Sequence, residues 1–238
     1  MTAAQMRRKI QITAWTLIWS GVLIGGYLAW QLVGTDWLNR RTQADAATAL
    51  EETIDDAEVV EEEFDSDEVA GDVELPPGIP DTVTLFTEPE AVHGEPVARI
   101  RIPAIGVEAV IFSGTERPIL NKGPGHMPRT PLPGQPGNSV VAGHRTTYGR
   151  PFHDLDLLEP GDRIEVESAA GTHVYEVRET TIVAPTDIWV TDPRPGAWMT
   201  LITCHPKFSA RQRLIVFAEM VDGPNYDYVR VSQLRGAS

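Results

Sequence analysis

From about Pro96 onward the chain is written in short β-branched runs broken by glycine, proline and aspartate: "VARIRIPAIGVEAVIFSG", "NSVVAGH", "DRIEVES", "THVYEVRETTIVAP", "WMTLITC" and "RLIVFAEMV". Runs this short, punctuated this often, are the pattern of an all-β barrel or sandwich. "SAAGTH" sits between two alternating runs as a hairpin connection, and "LEPGDRIEV" is a proline-glycine turn that delivers a strand. One short helix is predicted, at "PFHDLDLL" (Pro151 to Leu158), with proline at its start and apolar residues at Phe152, Leu155, Leu157 and Leu158. With 238 residues, 42% of them apolar, the chain has room for one domain with a real core, plus extensions.

The extensions lie upstream. Between Ile10 and Thr35 there is no charged residue, and "ITAWTLIWSGVLIGGYLAW" (Ile12 to Trp30) has the length a helix needs to cross the hydrocarbon. A signal peptide would have a shorter apolar core and a small-residue cleavage site, so the stretch reads as an uncleaved anchor. Arg7, Arg8 and Lys9 precede it and place the N-terminus in the cytoplasm, although Arg40 and Arg41 on the far side weaken that bias. The formal charge of -14 has a local origin. From Gln43 to Pro77, 14 of the 34 acids occur without a single Lys or Arg, which leaves 20 acids against 20 bases elsewhere. Nothing in that balance points to nucleic acid. Without a sustained apolar face, and ending in "ELPPGIPDTV", the tract reads as a mostly extended, self-repelling tether with fragments of helix. A regulatory arm folding onto a basic cleft is the other reading. As a plain spacer it would let a chain begun near Thr82 fold and act alone.

The chain has one cysteine, Cys204, so no disulfide can form within it. The thiol ends the apolar run "WMTLITC" just before the break "HPKFSARQ", a position where a rigid scaffold presents side chains, although a small buried hydrophobe is the bland alternative. A nucleophilic thiol needs a proton-handling partner and an oxyanion stabiliser. Of six histidines, His144 closes the strand-like run "NSVVAGH" and is the best placed. His205 adjoins the thiol but points to the opposite face of a strand. His93, His126, His153 and His173 lie in loop or turn surroundings. Arg213 opens "RLIVFAEMV", which would pair back on "MTLITC" as a hairpin; Arg211 has the same parity, and spacing separates the two weakly.

"TLITC" followed nine residues later by Arg213 and "RLIVFA", with "AGHR" (Ala142 to Arg145) upstream, resembles a sortase. So do the opening "ARIRIPAIGVEAVI", the approach "GPGHMPRTPLPGQPGNSVVAGH" and "PFHDLDLLEPGD". The resemblance covers roughly Pro96 to Asp222, and "TCHPKFSARQR" is most similar to the class E housekeeping sortases of high-GC Gram-positive bacteria. It implies an eight-stranded β-barrel with short helices and a Cys-His-Arg transpeptidase. Cys204 would attack the threonyl carbonyl of a C-terminal sorting signal, His144 would pass the proton, and Arg213 would hold substrate and oxyanion.

Several further expectations follow from that resemblance. The substrates would be surface proteins carrying a Leu-Ala-x-Thr-Gly or Leu-Pro-x-Thr-Gly signal, and the acceptor an amine of a cell-wall (peptidoglycan) precursor. No cofactor and no metal are expected. The loop "PTDIWVTDPRP" (Pro185 to Pro195) corresponds to the substrate loop, making Pro185 and Thr186 candidate contacts together with Thr203 and Tyr148. The domains would be residues 1–9 cytoplasmic, 10–35 the transmembrane helix, 36–91 an acidic and proline-rich extracellular linker, 92–223 the catalytic domain outside the cell membrane, and 224–238 a tail. Among alternatives, L,D-transpeptidases would show a Ser-x-Gly-Cys approach, NlpC/P60 peptidases place the cysteine before the histidine, and pilin-polymerising sortases carry a second span and an Asp-Pro-aromatic lid. A membrane-anchored adaptor leaves the Cys, His and Arg arrangement unexplained.

Overall fold

The computed structural model of the protein describes residues 3–30 and 35–236. Helix α1 (Ala3–Ala29) contains a stretch, Gln5–Leu28, long and apolar enough to cross a membrane, and none of it is buried against the rest of the chain. Residues 31–34 of the expected span lie outside the described residues.

The alternating runs fold as the β-texture demands. Eight strands close into a barrel: β3 (Pro96–Ile102), β4 (Val107–Ser113), β5 (Gly125–His126), β6 (Gly137–Ala142), β7 (Arg163–Ser168), β8 (Gly171–Val183), β9 (Ala197–His205) and β10 (Gln212–Asp222), in the order β10-β8-β7-β3-β4-β5-β6-β9. Two contacts, β4 with β5 and β6 with β9, are parallel; the others are antiparallel. Closure removes the exposed edges that an open sheet would leave. Inward-facing residues from every long strand, among them Ile100, Ile102, Val141, Ile164, Tyr175, Leu201 and Val216, meet in one core. "SAAGTH" is the β7–β8 hairpin, with Ser168 opposite Gly171. The predicted helix at Pro151 to Leu158 is a series of turns ending in a 3-10 turn, Leu155–Leu157, that drives Phe152 and Leu155 fully into the barrel.

The acidic tract differs from the extended tether expected of it. Helix α2 (Thr35–Asp56) runs into the tract and packs Ala46, Leu50 and Ile54 against Val110 and Phe112 of the barrel wall and against Ile119 in the connection that follows β4. Full burial of Leu50 contributes roughly 2 kcal/mol. The acids Asp45, Glu51, Glu52 and Asp55 take the other faces of the helix, and Glu51 reaches Arg99 at 3.3 Å. Further on, β1 (Val60–Asp65) pairs antiparallel with β2 (Thr82–Thr87), and α3 (Ser66–Ala70) lies between them, capped by Asp65. Residues expected to be a C-terminal tail form α5 (Tyr226–Gly236), which covers a small second core of Ala70, Val83 and Val231. Asn225, fully buried, ties this layer to the barrel by donating to the carbonyls of Phe86 and Gly134 and accepting from the Phe86 amide.

His173, on β8, is read from sequence as a residue in loop or turn surroundings. Instead it is fully buried, neither ring nitrogen has a partner, and burial drives its pKa from the ordinary 6.5 down to about 4. Its folded pKa lies below the unfolded value, so its contribution is intact above pH 6.5 and is lost as pH falls toward 4. The loss by pH 4 amounts to about 3 kcal/mol. Denaturant unfolding of the full chain in detergent should therefore show a steep stability decline from pH 6.5 to 4 that is shallower in His173→Leu. Parallel pH curves for the two proteins would refute this.

Candidate active site

The site is assembled at one end of the β6, β9 and β10 ladders. β9 and β10 pair so that Cys204 stands directly opposite Arg213. Directly opposed residues of an antiparallel pair project to the same face. That face is the outer wall, because Leu201 and Leu214 fill the barrel while Ile202 and Ile215 belong to an outer cluster. β6 runs parallel to β9 with Ala142 level with Ile202, so His144, two residues on, comes level with Cys204. The strands stay joined past the ladder: the Gly143 amide donates to the Ile202 carbonyl at 3.0 Å, and the Thr203 hydroxyl donates to the Gly143 carbonyl at 2.8 Å. Gly143 is required here by close approach, since a Cβ would lie 2.5 Å from the Phe152 ring.

Cys204 is half-buried. The His144 ring donates from Nε2 to Asn121 Oδ1 at 3.2 Å and stacks on Tyr148 with centroids 5.2 Å apart. Burial, and secondarily the positive charge of Arg117, hold its pKa below the ordinary value, which favours the neutral imidazole. Neutral and donating from Nε2, the ring keeps a lone pair on Nδ1 for a proton. Arg213, also half-buried, is oriented by its own turn: Nη1 donates to the carbonyls of Ala210 and Gln212, both at 3.0 Å. Arg211 lies on the exposed bend before β10.

Sequence reasoning left two residues here without a role. Asn121 follows the short helix α4 (Arg117–Leu120) in a stretch with no distinguishing pattern. Arg145, next to the histidine, is 3% exposed and binds Asp156 at 2.8 Å, the Cys204 carbonyl at 3.2 Å and the His153 carbonyl at 3.3 Å. Its Nη1 is also 2.9 Å from His205 Nδ1. The guanidinium thus fixes the main chain on the far side of the thiol. Its sequence signal was its place in "AGHR", which cannot by itself be told from a surface charge.

The candidate substrate residues are spread more widely. Tyr148 is at the imidazole. Thr203 has the opposite parity to Cys204, is 2% exposed, and holds β9 to the histidine's strand rather than facing the thiol's side. Pro185 and Thr186 are exposed where the β8–β9 loop departs, just after Val183, the partner of Arg213 on its other side. From there the loop runs along the outer wall. Val190 packs on Ile215 and Phe217, while Asn138 donates to the carbonyls of Val190 and Asp192 and accepts from the Thr200 hydroxyl at 2.6 Å. Ile188 and Trp189 remain exposed on it.

The barrel that carries these residues is similar to known proteins. The sortase domain family matches residues 100–221. Sortase SrtE1 of Streptomyces coelicolor is 34% identical over 145 residues, 54% of this chain and 41% of that protein, so the match spans less than half of that relative's length. Sortase SrtE2 of the same organism is 26% identical over 90% of this chain and 83% of its own. Among solved structures, sortase E of Streptomyces avermitilis is 36% identical with a TM-score of 0.51, covering 55% of this chain and 91% of that one. S. coelicolor sortase E1, determined with a tripeptide in its active site, is 32% identical with a TM-score of 0.53, covering 57% and 94%. The barrel, the family match across its strands and the class E relatives agree, and the chain belongs to the sortase family, resembling its class E members.

Proposed function

We propose that the protein is a membrane-anchored transpeptidase that cleaves a Leu-Ala-x-Thr-Gly or Leu-Pro-x-Thr-Gly sorting signal between Thr and Gly and passes the acyl group to a cell-wall amine. The observation that carries this reading is the register that sets Cys204 opposite Arg213 and level with His144 on one wall. In the first half-reaction the thiol proton passes to the neutral His144 as Sγ bonds to the threonyl carbonyl carbon. Arg213 donates to the oxygen as it becomes an oxyanion. On collapse the C–N bond breaks, His144 returns its proton to the departing glycine amine, and a thioester remains. In the second half-reaction the incoming amine gives a proton to His144 as its nitrogen bonds to the thioester carbon, the C–S bond breaks to leave the new amide, and His144 returns that proton to the departing sulfur. No electron acceptor or cofactor enters the balance.

The loop carrying Ile188 and Trp189 supplies an apolar rim beside the thiol's wall for the Leu-Ala part of the signal, and Tyr148, Pro185 and Thr186 flank the reacting end. Helix α1, whose first turns carry Arg7, Arg8 and Lys9 ahead of the uncharged stretch, supports an N-terminus in the cytoplasm and a barrel outside the cell membrane. Incubating the protein with a Leu-Ala-x-Thr-Gly peptide and reading the intact mass tests the reaction class. An adduct equal to the peptide up to threonine, mapped to Cys204 and discharged by added amine, is the expected result. Peptide hydrolysed with no thioester trapped at any time, or an adduct on another residue, would overturn it.

A further inference from the structure

The imidazole of His144 rests on two supports, and both are gripped by the helix that follows the candidate membrane span. The first support is Asn121, whose side chain accepts from Nε2. The main chain around it is held by α2: Asn39 donates to the carbonyls of Asn121 at 3.1 Å and Lys122 at 2.8 Å, and Gln43 donates to the Lys122 carbonyl at 2.9 Å. Gln43 also accepts from the Val110 amide at 2.7 Å, pinning the helix to β4. Asn39 is 7% exposed, so its amide is built into the interface.

The second support is Tyr148, stacked on the ring. It opens a run of three residues with positive φ: Tyr148 at 52°, Gly149 at 77° and Arg150 at 50°. Two of these carry side chains, and such residues enter the left-handed region at a cost that the surroundings must offset. Here the surroundings are again α2. Asp36 accepts from the Gly149 amide at 3.0 Å and approaches Arg150 Nε at 3.6 Å. A side chain at Gly149 would run into Asn39, because its Cβ would lie 2.1 Å from Oδ1.

We propose that the first two turns of α2 position His144, Asn39 through Asn121 and Asp36 through the Tyr148–Arg150 turn, so that the site is competent when the juxtamembrane helix is docked. The proposal rests on the role given to His144 above. Asn39 and Asp36 are positioning residues, and α2 does more than set the distance of the barrel from the membrane.

The test uses the full chain in detergent micelles with 15N-labelled histidine. Asn39→Ala and Asp36→Ala should each slow single-turnover acyl-enzyme formation about 10-fold, as a misplaced proton carrier would. Each should also move the His144 ring nitrogen resonances away from those of a ring donating through Nε2. Asp36→Asn, which keeps an acceptor for Gly149, should restore most of the rate and the resonances. Val231→Ala, in the small core beneath α5, should lower the unfolding midpoint without moving the His144 resonances. Wild-type resonances in Asn39→Ala and Asp36→Ala would overturn the coupling, as would equal displacement by Val231→Ala. If the wild type forms no adduct, the transpeptidase reading fails, while the resonances still decide whether α2 sets the imidazole.

Discussion

Cys204→Ala is expected to leave no detectable acyl-enzyme and no transfer, while the unfolding midpoint stays close to that of the wild type. Both halves follow from where the thiol sits. Cys204 is half-buried at the end of β9, and the contacts that hold its residue in place are made by the main chain: the pairing with Arg213 and the carbonyl bond from Arg145. Alanine keeps all of these and removes one sulfur, a change expected to cost less than about 1 kcal/mol away from the packed core. The chemistry has no substitute, because the chain contains no second cysteine and the hydroxyl of the adjacent Thr203 is bonded toward Gly143. Intact-mass measurement over many turnovers and a denaturant titration read the two halves separately. Residual thioester-like adduct would remove Cys204 from the mechanism, and a collapsed unfolding transition would make it a structural residue.

For Arg213→Lys the expected result is a fall in single-turnover thioester formation on the order of 100-fold, the size of losing an oxyanion donor. The residue is fixed by the β10 ladder between Cys204 and Val183, and two carbonyls of its own turn orient the guanidinium. Its remaining N–H groups can then meet an oxyanion in a set direction. Lysine keeps the charge, yet its three donors on a flexible stem cannot satisfy Ala210 and Gln212 and also hold a fork toward the substrate. Arg211→Lys should leave the rate near that of the wild type. Arg211 precedes the first paired residue of β10, lies exposed, and is joined to its surroundings through its amide to the Ser209 hydroxyl. The reverse ranking of the two variants would reassign the arginine.

Several of these features were legible in the residues alone. The strands announced themselves because β-branched runs ended by glycine and proline have few other ways to pack. The opposition of Cys204 and Arg213 followed from the hairpin expected between "MTLITC" and "RLIVFAEMV". Parity could not separate Arg213 from Arg211; in the structure the β9–β10 pairing starts at Gln212, so Arg213 is in the ladder and Arg211 is not.

The residues alone thus carried the barrel's strands and the end of them where Cys204, Arg213 and His144 come level, because side-chain alternation and turn residues are written along the chain. The tertiary structure alone decided what surrounds the imidazole. The docking face of α2 mixes the amides Asn39 and Gln43 with Ala46, Leu50 and Ile54, so no long apolar stripe marks it, and its acids made it read as a solvated tether. Those amides have value because the fold leaves the carbonyls of Asn121 and Lys122 and the amide of Val110 free to bond them. Likewise Arg145 and His173 are titratable residues whose burial depends on neighbours far away in sequence. Hydrogen bonds between a side chain and a distant main chain leave no periodic trace, since the partner is a backbone group that every residue possesses.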